Sequence, residues 1–376
     1  MKTLAEHLDP SNGPKRILAL DGGGIKGALT LGYLKEIETI VREKEQNENL
    51  LLCDYFDLIG GTSTGSIIAA GLAIGMTVDQ LKDLYMDLGG KIFGEKRSWW
   101  KPWETWKFLQ AQYDYTALKE SLQNTFGDTL LGGPEIKTGL CIVAKRADTN
   151  STWPIINHPD GKFFDSEDGR NSQIPLWQAV RASSAAPTYF VPQMIDVGNN
   201  QKAAFIDGGV SMANNPSLQL LMVATLKGFP FGWKMGEDNL EVVSVGTGYS
   251  IFSKKTSEIE EAWMKDWAQN VPNMLMQDAS WLNQIVMQWM SDSPTATDID
   301  MEIEKMEGDY IGGKAQIKYL RYNFPITVET LNELGFDKTF TDEDVESLIE
   351  MSNAENRYEL YEIGRKASVE INKDHF

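Results

Sequence analysis

Near the start of the chain, the hydrophobic and polar positions repeat one design twice. Residues 16–20 form a short apolar stretch that predicts a buried strand, and a run of glycines follows it. Apolar residues then recur at helical spacing, which predicts a helix with one buried face; they are Tyr33, Leu34, Ile37, Ile40 and Val41. Residues 55–59 predict a second strand, and after another glycine-rich turn residues 66–74 predict a second helix. Two successive strand-turn-helix units indicate a parallel sheet.

The alternation of strands and helices continues to about residue 250. Capping-box spacing at residues 77–80 predicts a helix that runs through Leu88. Strands are predicted at residues 136–144, 203–206 and 241–245, and helices at residues 176–183 and 216–227. The remainder, residues 251–376, is more acidic and has helical patterning, with a helix start at Thr341. We therefore expect an α/β fold with a mostly parallel central sheet and helices appended after it.

Composition excludes several kinds of chemistry. The 376 residues include 35 basic and 54 acidic side chains, a net charge of −19, which disfavours nucleic acid as a partner. Three histidines and two cysteines are too few for zinc clusters, and residues 165–169 lack the spacing of a calcium loop. We expect no metal. No apolar window of membrane-spanning length and no signal peptide stands out, so we expect a cytoplasmic protein with at most transient, apolar membrane contact.

The pentapeptide Gly61-Thr62-Ser63-Thr64-Gly65 matches the nucleophile-elbow pattern G-x-S-x-G. It stands between a predicted strand and a predicted helix, where that motif has to stand. Small residues on both sides let the chain turn sharply, so the Ser63 hydroxyl projects at a helix amino terminus. We interpret Ser63 as a nucleophile rather than as part of an ordinary glycine-serine turn.

A serine nucleophile needs a base, and the histidines are poorly placed to supply it. His7 and His375 lie near the chain ends, and His158 lies in a predicted turn. Asp207 is the best carboxylate candidate because it ends a predicted strand and precedes Gly208 and Gly209. An Asp-Gly-Gly sequence alone is more often a turn, and only the pairing with Ser63 favours the catalytic interpretation.

A second glycine run, at residues 22–24, offers consecutive backbone N–H groups at a helix start. This is the geometry of an oxyanion hole or an anion-binding nest, and Lys26 adds positive charge beside it. The same run fits the dinucleotide pattern G-x-G-x-x-G through Gly27, but no acidic residue follows at the end of the second predicted strand. The Walker pattern also fails, because no G-K-[ST] follows.

Six blocks of the sequence, taken in order, resemble the signature blocks of patatin-like phospholipases. They are Asp21-Gly22-Gly23-Gly24-Ile25-Lys26-Gly27, Gly61-Thr62-Ser63-Thr64-Gly65, Arg181-Ala182-Ser183-Ser184-Ala185-Ala186-Pro187-Thr188-Tyr189-Phe190, Asp207-Gly208-Gly209, Asn214-Asn215-Pro216 and Gly246-Thr247-Gly248. The resemblance spans about residues 14–250. It implies a three-layer α/β/α fold with a catalytic core at residues 14–250 and a mainly helical extension, residues 251–376, packed on it.

The resemblance also implies calcium-independent, cofactor-free hydrolysis of acyl esters of phospholipids or related lipids. Ser63 would be the nucleophile and Asp207 the base. The backbone N–H groups of Gly22, Gly23 and Gly24 would form the oxyanion hole. Lys26 stands where many members have arginine, and the expected substrate-binding residues are Lys26, Gly61, Gly65, Gly208 and Gly209.

Several alternatives stay open at this point. The same dyad suits soluble esters, so a general carboxylesterase or thioesterase competes with a lipid hydrolase. Plant patatins are storage proteins, and some bacterial relatives are defence effectors switched on by a nucleotide signal or by assembly, which leaves open an activating ligand or a homo-oligomer. From a different class, a nucleotide-binding regulator could use residues 22–27 for phosphates.

Two aromatic and methionine-rich segments bear on substrate access. Trp99, Trp100, Trp103 and Trp106 suit either a lipid interface or packing in the core. Residues 274–290 carry an apolar stripe at helical spacing, which predicts a core-facing helix or, as the alternative, a soft lid over acyl chains. That stripe consists of Leu275, Ala279, Leu282, Val286 and Trp289.

Overall fold

The computed structural model describes residues 2–93, 115–187, 189–198, 201–250, 256–261 and 263–376. The described strands are β1 (Lys15–Leu20), β2 (Leu58–Thr62), β3 (Gly139–Arg146), β4 (Ser151–Ile156), β5 (Gln193–Asp196), β6 (Lys202–Asp207), β7 (Leu240–Val245) and β8 (Lys318–Tyr322). The described α-helices are α1 (Leu4–Leu8), α2 (Gly27–Lys44), α3 (Leu52–Tyr55), α4 (Thr64–Ala73), α5 (Val78–Phe93), α6 (Tyr115–Phe126), α7 (Leu176–Ser183), α8 (Ser217–Thr225), α9 (Thr256–Glu260), α10 (Met264–Trp289), α11 (Val328–Glu333), α12 (Asp342–Ile349) and α13 (Arg357–Ala367).

All eight strands belong to one sheet. Its order is β5-β6-β3-β2-β1-β7-β8, and β4 pairs with β3 outside this path. Strands β3, β2, β1, β7 and β8 run parallel to one another. At the β3 side, β4 and β6 each pair antiparallel with β3, and β5 pairs antiparallel with β6. The predicted mostly parallel sheet is confirmed.

The sheet is buried on both faces. Along β1, Leu18 and Leu20 join a hydrophobic cluster with side chains of α2, α4 and α13. Ile17 and Ala19 point the other way, into a cluster with side chains of α1, α8 and α10. Because successive strand residues face opposite sides, this division places a helical layer on each face, as a three-layer α/β/α fold requires.

The second predicted strand is displaced along the chain. Residues 55–59 were predicted to form it, but the chain first makes the short helix α3 and enters β2 only at Leu58. The helix begins where the Leu51 N–H donates to Asp54 Oδ2 at 3.0 Å. A continuous apolar run does not distinguish a buried helical turn from a strand, so periodicity alone missed this boundary.

The extension after residue 250 also differs from the helices predicted for it. It contributes β8, which pairs in parallel with β7 and enlarges the sheet. The strand was missed because its sequence, Lys-Tyr-Leu-Arg-Tyr, places Arg321 at a position that is buried in the fold. No helix among the described residues is long and apolar enough to span a membrane.

Candidate active site

The turn between β2 and α4 holds Ser63 in a strained backbone conformation. Ser63 has φ 54° and ψ −125°, outside the regions that most residues adopt. The turn is tight, because a Cβ on Gly61 would collide with the backbone of Gly65, and one on Gly65 with the carbonyl of Leu20. The Ser63 N–H donates to Ser183 Oγ at 2.8 Å, which fixes the turn from outside. The strand-turn-helix context predicted for the G-x-S-x-G motif is present.

The Ser63 hydroxyl donates to Asp207 Oδ2 at 2.6 Å. Asp207 ends β6, and its Oδ1 accepts the Gly209 N–H at 2.7 Å. Burial raises the pKa of Asp207 to about 6, although the hydrogen bonds from Ser63 and Gly209 and the charge of Arg181 act in the opposite direction. Above that pH Asp207 is a carboxylate positioned to accept the serine proton.

The histidines lie away from this pair. All three are in the described part of the chain, and none is a hydrogen-bond partner of Ser63. Each has its own neighbour: His7 Nδ1 lies 2.8 Å from Asp57 Oδ1, His158 Nδ1 accepts the Asp160 N–H at 3.2 Å, and His375 Nδ1 lies 2.9 Å from the Tyr322 hydroxyl. The geometry is that of a Ser-Asp pair rather than a Ser-His-Asp triad.

The glycine run after β1 places only part of the predicted oxyanion hole beside Ser63. The Gly22 N–H donates to the Asn214 carbonyl at 3.0 Å and is therefore occupied, which corrects the expectation that Gly22 is a free donor. The N–H groups of Gly23 and Gly24 have no hydrogen-bond partner among the described residues. Both glycines line the same cavity as Ser63, so they are the available donors of the run.

The loop that carries these donors is packed on all sides. A Cβ on Gly23 would lie 2.6 Å from Thr247 Cβ, and one on Gly24 would collide with Met351. Gly24 has φ +59°, a conformation that side-chain-bearing residues rarely adopt. The Tyr85 hydroxyl donates to the Gly24 carbonyl. This packing leaves little freedom for the two N–H groups.

The cavity beside Ser63 has a volume of about 110 Å³ and a largely apolar wall. Its side chains suit an acyl chain rather than a polar substrate; they include Ile67, Leu118, Phe190, Val210, Met276 and Met351. Ser63 is 9% exposed and Asp207 5%, and both residues line this cavity.

The glycines predicted to bind substrate divide into two groups. Gly209 lines the cavity and donates to Asp207. Gly61, Gly65 and Gly208 are not among its lining residues and instead permit close backbone approaches; a Cβ on Gly208 would collide with the carbonyl of Val143. Their role in this structure is to shape the turns that hold Ser63 and Asp207.

Lys26 lies in a second cavity, behind the glycine run, and not in the cavity that holds Ser63. Its Nζ donates to the Gly248 carbonyl at 3.4 Å. Burial lowers its pKa to about 8, although the nearby Asp21 carboxylate opposes this shift. Asp21 accepts two hydrogen bonds from Arg321, at 2.9 and 2.6 Å, inside the same cavity.

The predicted core stripe on α10 is wrong. Leu275, Leu282 and Trp289 are 63%, 59% and 43% exposed, whereas the amides Asn283 and Gln284 are buried. Both amides are hydrogen-bonded, Asn283 to main-chain carbonyls and Gln284 to the Gln288 and Thr297 side chains, so their burial leaves no donor unsatisfied. The Trp99 to Trp106 cluster lies outside the described residues.

Sequence reasoning missed the residues that support the site from a distance. Ser183 and Asn214 belong to the family blocks, but the sequence does not reveal their partners. Ser183 accepts the Ser63 N–H and Asn214 accepts the Gly22 N–H only because the fold brings them together. Arg321 and Met351 come from the extension: Arg321 bonds to Asp21, 300 residues away, and Met351 to Ile25, more than 300 residues away. A basic residue within an otherwise apolar segment, as at Arg321, was the one available signal.

Ser63 stands at a strand-helix turn and is hydrogen-bonded to a carboxylate at the end of another strand, which places a hydroxyl beside a group that can act as its base. The chain belongs to the patatin-like phospholipase family, whose model matches residues 18–221.

Three relatives are activated phospholipases by name. The chain is 30% identical over 239 residues to a cGAMP-activated phospholipase of Escherichia coli (strain TW11681), covering 62% of each chain. It is 36% identical over 213 residues to a cGAMP-activated phospholipase of Vibrio cholerae serotype O1, covering 54% of this chain and 55% of the relative. It is 33% identical over 236 residues to a cUMP-AMP-activated phospholipase of Escherichia coli, covering 62% and 64%. The chain thus spans less than two thirds of the length of these relatives.

Proposed function

We propose that this protein is a lipid acyl hydrolase that cleaves phospholipid or related acyl esters through Ser63 and Asp207. The observation that carries the proposal is the 2.6 Å hydrogen bond from Ser63 Oγ to Asp207 Oδ2 within a largely apolar cavity. Membership of a phospholipase family supports the choice of substrate. The part of the acyl chain next to the ester lies in the cavity, with the ester carbon at the serine oxygen.

In the proposed reaction Asp207 accepts the serine proton while Ser63 Oγ attacks the ester carbonyl. The N–H groups of Gly23 and Gly24 donate to the oxyanion that forms, and each such donor is typically worth about 3 kcal/mol. Collapse breaks the ester bond, and the leaving alcohol takes the proton from Asp207. Water then attacks the acyl-serine, gives its proton to Asp207, and the fatty acid leaves with Ser63 reprotonated. The charge on the carbonyl oxygen is stabilised by backbone donors, so we propose that the reaction does not need calcium.

We further propose a transient contact with the membrane through one face of α10. The exposed apolar side chains of this face repeat at helical spacing. They are Met264, Trp267, Val271, Met274, Leu275, Leu282 and Trp289. Met276 of the same helix lines the Ser63 cavity, so a lipid entering beside this face has a short path to the serine. A net charge of −19 favours apolar over electrostatic attachment of a cytoplasmic protein.

We also propose that a cyclic dinucleotide activates the enzyme. Three relatives carry activation by cGAMP or cUMP-AMP in their names. A membrane-degrading hydrolase that rests inactive until a nucleotide signal appears would be a defence effector rather than a housekeeping enzyme.

The test is fatty-acid release from mixed phospholipid vesicles in excess chelator, with and without cGAMP or cUMP-AMP, followed by mass spectrometry. The wild type should release fatty acid, and Ser63→Ala and Asp207→Asn should each lose at least about 10³-fold. The matched controls are the substitutions Ser257→Ala and Asp160→Asn at two exposed positions. Both variants should release fatty acid at the wild-type rate. Turnover of either site variant within tenfold of wild type would overturn the dyad, and turnover restricted to short soluble esters would make the protein a general carboxylesterase.

A further inference from the structure

The second cavity, which contains Lys26, has the composition of a ligand site but no part in the acyl-transfer steps. It has a volume of about 200 Å³ and lies between the glycine run, the segment after β7, the end of β8 and α10. Its wall is mixed, with charged, aromatic and amide side chains. Those on which the argument depends are Lys26, Tyr249, Gln277, Trp281, Arg321 and Asn323.

The charges in this cavity favour an anion. Asp21 and Arg321 neutralise each other through two hydrogen bonds, which leaves the ammonium of Lys26 as the uncompensated charge. Among the described residues, the Lys26 Nζ makes one hydrogen bond, which is long, 3.4 Å to the Gly248 carbonyl. Arg321 is 7% exposed, and its Nε has no partner in the described part of the chain. The Lys26 ammonium and the Nε–H of Arg321 are therefore the donors that this cavity offers to a phosphate.

The opposite wall suits a planar, polar ring system. Tyr249 and Trp281 form an edge-to-face pair with ring centroids 6.1 Å apart. Nucleobases stack on aromatic side chains of this kind. Asn323 accepts the Gly248 N–H at 2.8 Å through Oδ1, and its side-chain NH₂ has no partner among the residues described, so it is available to a base edge beside Gln277.

The two cavities share part of their walls. Gly23, Asn214, Met276 and Met351 line both of them. Gly23 carries one of the two donors proposed for the oxyanion, and Asn214 holds the neighbouring Gly22 N–H. A ligand in the second cavity therefore contacts the loop of the oxyanion hole from behind.

We propose that the Lys26 cavity is the effector site, in which one phosphate of a cyclic dinucleotide meets Lys26 and Arg321 and one base packs against Tyr249 and Trp281. This proposal rests on the proposed nucleotide activation. It adds where the nucleotide binds and which residues connect the bound nucleotide to Ser63. Occupation acts on the Ser63 cavity through the Met276 and Met351 side chains, which line both cavities. A volume of about 200 Å³ is below the roughly 300–1,000 Å³ of a typical ligand pocket, so one phosphate and one base lie inside and the rest of the ligand lies at the opening of the cavity.

Calorimetric titration of the full chain with cGAMP and with cUMP-AMP tests the site without any turnover. Lys26→Gln and Trp281→Leu should each weaken the nucleotide that binds the wild type by at least tenfold. Two matched controls should stay within twofold of wild type, because neither lines the cavity: Lys227→Gln, on an exposed segment, and Trp289→Leu, on the same helix. Circular dichroism and thermal melting establish that each variant is folded, and either of the two cavity variants alone suffices for the test.

Competition separates a nucleotide from a lipid head group, since both carry a phosphodiester. Glycerophosphocholine and inorganic phosphate at millimolar concentration should leave nucleotide binding unchanged. Competition by glycerophosphocholine, lost in Lys26→Gln, would overturn the proposal and make the cavity a head-group subsite. Wild-type affinity in both folded cavity variants would also overturn it, while nucleotide activation itself would stand. If neither nucleotide binds the wild type, the proposal of an effector site is wrong. The vesicle assay then still tests whether the protein is a lipid hydrolase.

Discussion

Asp207 experiences two opposing influences at the centre of the site. Burial disfavours its ionised form, while hydrogen bonds from Ser63 and Gly209 favour it, and the net result is a pKa of about 6. A base with this pKa is ionised at neutral pH but is a stronger proton acceptor than an exposed aspartate. In the proposed reaction, this one carboxylate takes the part that the histidine has in a triad.

The pH dependence of turnover follows from this pKa. Below about pH 6 Asp207 holds a proton and does not accept the one from Ser63, so kcat/KM should fall about tenfold per pH unit as the pH decreases from 6 to 4. Above pH 7 Asp207 is ionised, so kcat/KM should not change with pH until another group titrates. The measurement is fatty-acid release from zwitterionic vesicles, whose own charge does not change in this range. A rate that stays constant down to pH 4.5 would contradict the assignment of Asp207 as base.

At the scale of elements, the glycine loop between β1 and α2 depends on close packing. The side chain of Thr247 occupies the space where a Gly23 Cβ would lie. Gly23→Ala should therefore displace the loop and its N–H donors, and kcat should fall by about 10²–10³-fold, the usual cost of a lost oxyanion donor. Gly228→Ala is the control, because a Cβ there meets nothing within 4 Å. Wild-type kcat in a folded Gly23→Ala protein would exclude Gly23 from the oxyanion hole.

The strands and helices near the two glycine motifs were predictable because local patterns specify them. Strand β1, the Ser63 turn and strand β6 all follow from apolar runs that end in glycine or aspartate. The occupied Gly22 N–H was not predictable, since its partner Asn214 is almost 200 residues away and only the fold brings them together. The orientation of α10 was predicted wrongly because paired amides such as Asn283 take the buried side.

At the scale of the whole molecule, the extension is tied to the core through a buried ion pair. Arg321 of β8 donates two hydrogen bonds to Asp21, which immediately precedes the glycine run, and a third to Ser244 of β7. Met351, also from the extension, accepts the Ile25 N–H at 2.9 Å. Residues after position 250 therefore complete the surroundings of the glycine loop rather than merely covering the core.

Removing one member of the Asp21–Arg321 ion pair should destabilise the folded protein. Arg321→Gln leaves Asp21 buried without its cation, and we expect the free energy of unfolding to fall by about 3–5 kcal/mol. Asp21→Asn in the same chain removes the stranded charge and should recover part of that loss. Arg365→Gln is the control, because its pair with Glu36 is partly exposed and is worth at most about 1 kcal/mol. Urea unfolding measures all three, and equal losses for Arg321→Gln and Arg365→Gln would contradict a structural role for the buried pair.

The most direct test of the central claim is covalent labelling of the nucleophile. A fluorophosphonate reacts with a serine hydroxyl that an adjacent base activates, and the Ser63 hydroxyl is hydrogen-bonded to Asp207. Peptide mapping by mass spectrometry should find one adduct, on Ser63, that is strongly reduced in Asp207→Asn. An adduct on another serine, or none on Ser63 with or without cGAMP or cUMP-AMP, would contradict the account.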